Sequence, residues 1–529
     1  MRNGYGWRAS VDTGPYRESA ICMMLEEGPK KINSYYQELP GIAKGAGVLF
    51  AGGFLGKAFL FLFTVLIARL LTPGDLGLFY LGSSVAFLLV VFAALGLEMG
   101  VLRFVSVHLG EKDESRLIGI IYSSLFIALP ASVVVSLLLF FTAGEIASAI
   151  FKKPGLERVL SFFSMVIPFL VVGRIFIATS LGARVMRDKV ANELGEILLR
   201  ILFTCLFVYL LGWGLDGAVL GWVLSSALAA FLAFYLAQNT IPVLNNKRRP
   251  IFEFKKLLLF SYPQIFSEFF IAMAGYTDTL MLGYFRTAGE VGIYNIAARL
   301  GYSAFMISAS FRLVFAPIIA DLHNQGDLER LSALFKVVTR WIFTLSLPVF
   351  LVLILFPGAI LKIFGGEFTA GSTCLIILSL GYLICSATGP ANHMILMTGR
   401  SGLNSLNHLI GLLLNFFLNF LLIPKYGILG AAIAISASII SLDIMRLVET
   451  YYFMKIHPYD RSYLKSLLAG ALSFILIQLS PILISPVPEI VGILIFLISY
   501  SGTIYVLKFN KEDLFLLNQF RRKVQLMMR

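Results

Sequence analysis

Residues 72–81 read TPGDLGLFYL, and residues 287–296 read TAGEVGIYNI. Thr, Gly, an acid, a branched apolar residue, Gly, an apolar residue and an aromatic recur in one order, 215 residues apart. Each stretch lies between two long apolar runs. Two further pairs share nearly the same offset. EKDESRL (111–117) is answered by NQGDLERL (324–331), with Arg116 matching Arg330. GLDGAVLG (214–221) is answered by GILGAAIA (427–434). A fixed long-range offset is the mark of a duplicated structural unit.

The apolar runs define what is duplicated. A helix needs about 20 apolar residues to cross the hydrocarbon core. Fourteen candidates run approximately 46–71, 78–102, 118–142, 159–181, 195–212, 216–240, 258–284, 291–320, 336–356, 372–397, 405–423, 430–452, 464–484 and 489–508. The three matches fall between corresponding spans, so the repeat unit is six spans. A shift of an even number of spans preserves direction. The two units are therefore parallel repeats, with a path expected between them near mid-membrane. The expected fold is an all-α polytopic membrane protein of two six-helix lobes plus two C-terminal helices. Its parts are a tail (1–44), an N-lobe (45–240), a basic linker (241–257), a C-lobe (258–452), two further spans (453–508) and a second tail (509–529).

Composition agrees. The 529-residue chain is 58% hydrophobic and only 14% charged, against about a quarter charged in soluble domains. Such a chain cannot cover itself with polar surface in water. No room remains for a soluble catalytic domain. The formal charge of +13 is an orientation signal and not a nucleic-acid footprint. Lys and Arg gather in the two tails and the even-numbered connectors. The odd-numbered connectors hold six, Lys152, Lys153, Arg158, Arg286, Lys362 and Lys425. The positive-inside rule then puts both termini in the cytoplasm. Residues 1–44 contain no apolar stretch of signal-peptide length. Met23 and Met24 offer later starts, so residues 1–22 are assigned no role.

Charged residues inside spans are costly, and they mark partners or wet cavities. Lys57, Arg174 and Arg200 fall at similar depth near mid-membrane, as a cationic group suited to an anionic head group. Snorkelling and helix pairing are the structural alternatives. Asp278 and Arg299 flank one hairpin at matched depth, which fits a structural pair. Glu268 and Arg312 match further down the same two helices. Asp443 and Arg446 are spaced i,i+3. Glu268, Asp278 and Asp443 are equally candidates for coupling transport to protons or sodium. Asn415 and Asn419 suit interhelical bonding or a sugar path. The prolines inside spans permit bends. No P-loop, HExxH or metal-ligand spacing occurs, so neither cofactor nor metal is expected. The four cysteines show no disulfide or zinc pattern.

IARLLTPGDLGLFYL (67–81), TDTLMLGYFRTAGEVGIYNIAARLG (277–301) and LNFFLNFLLIPKYGILGAAIAISAS (414–438) resemble the polysaccharide-export flippases of the O-antigen type. These belong to the superfamily that includes multidrug extruders and the lipid II flippase. The resemblance spans nearly all of residues 40–510. It implies a V of two lobes, alternating access and a polyprenyl-(pyro)phosphate- or dolichol-linked glycan as substrate. It also implies a cationic N-lobe cavity for the phosphate, and a non-enzymatic monomer in the cytoplasmic membrane beside glycan-assembly enzymes. A drug/cation antiporter of the same superfamily and a membrane-embedded glycan polymerase or glycosyltransferase are the competing readings.

Overall fold

A computed structural model describes residues 52–241, 249–483 and 489–507. Both tails and residues 242–248 of the expected linker lie outside the described residues. The described chain is almost entirely helical. Its first ten helices are α1 (Gly52–Leu70), α2 (Pro73–Ala94), α3 (Leu97–Glu111), α4 (Glu114–Glu145), α5 (Leu156–Ser164), α6 (Val166–Gly182), α7 (Met186–Thr204), α8 (Gly214–Thr240), α9 (Phe254–Phe285) and α10 (Ala288–Asn324). Eight more follow, namely α11 (Leu328–Leu355), α12 (Pro357–Lys362), α13 (Ser372–Ala387), α14 (Ala391–Met397), α15 (Ser401–Tyr426), α16 (Ile428–Met454), α17 (Tyr463–Leu483) and α18 (Glu489–Val506). Eleven helical segments among the described residues are long and apolar enough to cross a membrane. Large side chains such as Phe141, Phe231 and Leu259 are exposed on them. That outward apolar surface fits lipid as solvent, since helices bond their interior backbone groups internally. The chain is a multi-pass membrane protein.

Three expected spans are each broken in two. The span at 78–102 is divided by Leu95 and Gly96, with φ of 52° and 65°. The backbone of α9 passes close here. A Cβ on Gly96 would lie 2.5 Å from the Ser261 carbonyl oxygen. The span at 159–181 breaks at Met165 between α5 and α6. The span at 372–397 breaks at Thr388-Gly389-Pro390, between α13 and α14. Such interruptions at membrane depth are tolerated only within protein or beside a cavity.

The repeat is visible in local geometry. Thr72 and Thr287 have the same backbone, φ −69° and −70°, ψ 158° for both, and each caps a helix. Thr72 accepts from the Asp75 amide at 3.2 Å, and Thr287 from the Glu290 amide at 3.3 Å. Glu290 returns to the Thr287 amide and completes a capping box. Asp113 and Asp327 cap α4 and α11 through the Arg116 and Arg330 amides, both at 3.0 Å. Gly214 and Gly427 both have positive φ, 52° and 57°. The Thr-x-x-acid pattern thus encodes helix starts.

Gly77 and Gly292 do not make the turn; both lie inside helices, α2 and α10. They bring those helices into backbone contact. A Cβ on Gly77 would sit 1.7 Å from the Ala288 oxygen, and one on Gly292 would sit 2.1 Å from the Pro73 oxygen. Each would also lie 3.0–3.1 Å from the other glycine's amide nitrogen. The absence of a side chain at both positions is what lets α2 and α10 cross this closely.

Further contacts tie the two repeats together at the same end. The Arg69 guanidinium donates to the Ile363 and Lys362 carbonyls at 2.7 and 2.8 Å. The Lys153 ammonium donates to the Gly283 carbonyl. Away from that end, α9 packs along α2 and α3, which the repeat assigns to the other unit. Phe87 stacks on Tyr276, Phe92 meets Phe269 and Phe104 meets Phe260.

Candidate functional site

An ionised side chain in lipid is stable only with a partner or with water. The fate of each intramembrane charge therefore maps the interior. Lys57 lies on an exposed face of α1, and no described acid pairs with it. Arg174, on α6, faces Glu98 of α3 at 3.7 Å and remains 38% exposed. Glu268, on α9, lies within electrostatic range of both Glu98 and Arg174. Arg174 and Glu98 thus form an ion pair between α6 and α3, with Glu268 of α9 in electrostatic range.

Arg200 has a different environment. It is 7% exposed, bonded to Glu196 one turn earlier, and its guanidinium lies 3.8 Å from the Trp222 ring centroid. Phe63, Phe79, Phe87 and Phe163 surround that indole. The three first-half cations therefore do not form one cluster. Lys57 is on a surface, Arg174 is in a polar space and Arg200 is stacked inside the bundle.

Arg299 does not pair with Asp278, contrary to the sequence expectation. Its guanidinium crosses to the other repeat and lies 4.4 Å from the Tyr80 ring of α2. It is exposed, and among the described residues no carboxylate lies within ion-pair distance. It is within electrostatic range of Arg200, and it and Arg174 both act on the Tyr276 hydroxyl. Matched depth on a hairpin did not imply a pair, because the two side chains leave their helices on different faces.

Asp278 is enclosed by uncharged donors. Its carboxylate accepts from Tyr294 Oη at 2.8 Å, Asn415 Nδ2 at 3.1 Å and Asn419 Nδ2 at 2.6 Å. Asn419 also donates to Asn415 at 3.1 Å. The asparagines thus bond across helices, from α15 to α9. Three donors on a buried carboxylate replace the water it lost.

Arg312 does not pair with Glu268. It meets Asp443 at 3.9 Å and donates to the Cys385 carbonyl at 3.1 Å, at the end of α13. Asp443 also takes Arg446 at 3.0 Å and the Thr388 hydroxyl at 3.2 Å. Arg446 lies 3.4 Å from His408 Nε2. This buried network spans the break between α13 and α14. The freed carbonyls of that break attract the cation.

Tyr80, Trp222, Tyr276 and Tyr294 escaped the sequence reading. An aromatic ring among many carries no periodic signal, and its value here comes from the guanidinium or carboxylate placed against it. Outside the spans, Lys153 is held below its ordinary pKa by burial against the other repeat, opposed in part by Glu290.

Arg174 and Arg299 both lie within electrostatic range of the Tyr276 hydroxyl. A guanidinium is suited to binding an anion such as a phosphate. Comparison with known proteins supports a membership. The chain is 25% identical over 448 residues to an uncharacterized membrane protein of Methanocaldococcus jannaschii, covering 80% of this chain and 86% of that one. It is 27% identical over 162 residues to a probable low-salt glycan biosynthesis flippase, Agl15, of Haloferax volcanii, covering 30% of this chain and 34% of that one. Its fold matches the lipid II flippase MurJ in an inward closed conformation with a TM-score of 0.68 at 16% identity, covering 86% of this chain and 97% of that one. The MatE family model matches residues 263–421. The model described as polysaccharide biosynthesis protein matches residues 42–323, more than half of the sequence, and the chain belongs to that family.

Proposed function

We propose that this protein is a flippase for a polyprenyl-(pyro)phosphate-linked glycan, working by alternating access between two lobes, residues 45–240 and 258–452. The observation that carries the reading is Arg299. It is an exposed cation inside the bundle, aimed at the opposite repeat and without a described acid partner. It and Arg174 both lie within electrostatic range of Tyr276. A doubly charged head group would satisfy both guanidinium groups at once. The two groups come from different repeats, so relative motion of the lobes would assemble and disperse the site. Lys57 is positioned to meet the head group on entry, and Arg200 to add positive potential from behind Trp222.

The family and the flippase named among its relatives support the substrate class. Transport involves no bond-making step, so the function is not enzymatic. The cation distribution supports a cytoplasmic-membrane location with both termini cytoplasmic. It also places the Gly77–Gly292 crossing on the outer side. With that orientation, the Gly77–Gly292 contact corresponds to an inward-directed state. Asp278, with Tyr294, Asn415 and Asn419, is the candidate ion-coupling element of the second lobe, and the Arg312–Asp443–Arg446 network is a structural brace.

The test is reconstitution. Proteoliposomes should move a fluorescent lipid-linked oligosaccharide between leaflets, and Arg299→Glu should reduce that movement at least tenfold. The carboxylates Glu98 and Glu268 and the MatE match favour one second reading, a drug/cation antiporter. Efflux of a cationic dye without movement of any lipid-linked sugar would establish it instead.

A further inference from the structure

We propose that Tyr302 is a sugar platform, stacking against the pyranose ring next to the phosphate. The proposal rests on the head-group reading above and deepens it. Tyr302 lies on α10, three residues beyond Arg299 and about 4.5 Å further along the axis. At about 100° per residue the two side chains leave the helix about 60° apart. Arg299 faces α2 of the other repeat. That spacing sets Tyr302 beside Arg299 on the helix surface, on the side away from the Gly77–Gly292 crossing. It is 55% exposed.

The ring is also held in place. Phe305 lies 6.2 Å away, and Tyr382 of α13 meets it nearly edge-on at 6.0 Å. Those two rings pack against each other at 5.4 Å, and the Arg312 guanidinium lies 4.9 Å from Phe305. An exposed aromatic face on a rigid support loses little freedom on binding. A pyranose has an apolar C–H face and a polar edge, which suits a ring that is apolar on its face and carries a hydroxyl at its rim. The first sugar of a glycan phosphate is attached through a single oxygen. With phosphate at Arg299, that sugar lies within a helical turn of it, which is where Tyr302 stands.

The experiment compares two probes on the purified full chain, polyprenyl pyrophosphate and the same lipid carrying one N-acetylglucosamine. Wild type should bind both, the sugar-bearing lipid more tightly. Tyr302→Ala should weaken the sugar-bearing probe about 5- to 10-fold and leave the bare pyrophosphate within about twofold, the range expected for one aromatic contact. Tyr302→Phe should retain the preference, because stacking does not need the hydroxyl. If Tyr302→Ala does not fold, Tyr302→Leu replaces it, since it keeps apolar bulk without a π face. Equal weakening of both probes, or of neither, in a folded variant would overturn the platform while leaving the head-group reading intact. Failure of wild type to bind either probe would overturn both.

Discussion

Gly77 and Gly292 stand in for each other across the contact of α2 and α10. Each occupies the place where the other repeat's backbone arrives, with a Cβ on either one meeting a carbonyl oxygen within 2.1 Å. A side chain at either position must push the helices apart. Gly77→Val or Gly292→Val should therefore favour a state open at this end. Spin labels at Gly74→Cys and Gly289→Cys should report a longer separation, and glycan-lipid movement should fall at least tenfold. An unchanged distance with full transport would show that the crossing is not part of the cycle.

Arg299 and Asp278 belong to separate sites despite their matched depth. Arg299→Ala should weaken polyprenyl pyrophosphate binding about tenfold, in keeping with loss of a charge-assisted contact. Asp278→Asn should leave that binding within about twofold, and the two effects should add within about 0.5 kcal/mol, as independent sites do. Strong coupling in the double variant would restore the pairing that the structure replaces.

Arg312 and Asp443 should behave in the opposite way. Arg312→Leu removes a buried cation from Asp443 and from the end of α13. Breaking a buried pair costs about 3 kcal/mol or more. The variant should show a lower melting temperature in detergent. Glu268→Gln should not reproduce that loss, because Glu268 faces Glu98 and Arg174 instead.

Lys153 gives the outer contact a pH dependence. Burial lowers its pKa in the closed arrangement, whereas a solvated lysine titrates near 10.4. The closed form thus binds fewer protons than an open form. Raising the pH from the lowered pKa towards about 10.4 should shift the population towards closure. The Gly74→Cys and Gly289→Cys label distance should shorten over that window. Lys153→Met, which carries no titrating group, should remove the trend.

Apolar run lengths marked the chain as multi-pass, and the Thr-x-Gly-acid motif marked two helix starts. Those features were legible because they depend on local composition and helix capping. Thr72 and Thr287 cap their helices in the same way wherever those helices go. The breaks at Gly96 and Gly389 were not legible, since glycine inside an apolar run signals equally a kink and a close approach. Arg174 and Arg299 could be read as intramembrane charges, but not as groups within electrostatic range of one tyrosine. Their shared target, Tyr276, is one of 21 tyrosines in the chain.

The sequence by itself determined that this is a multi-pass helical membrane protein with capped helix starts at Thr72 and Thr287, because hydrophobic length and capping act over a few neighbouring residues. Only the tertiary structure decided that Gly77 meets Gly292, that Arg299 turns from Asp278 towards Tyr80, and that Arg312 serves Asp443. Depth along a helix follows from residue number, but partnership also requires azimuth and the approach of another helix. Those are set by packing over the whole bundle.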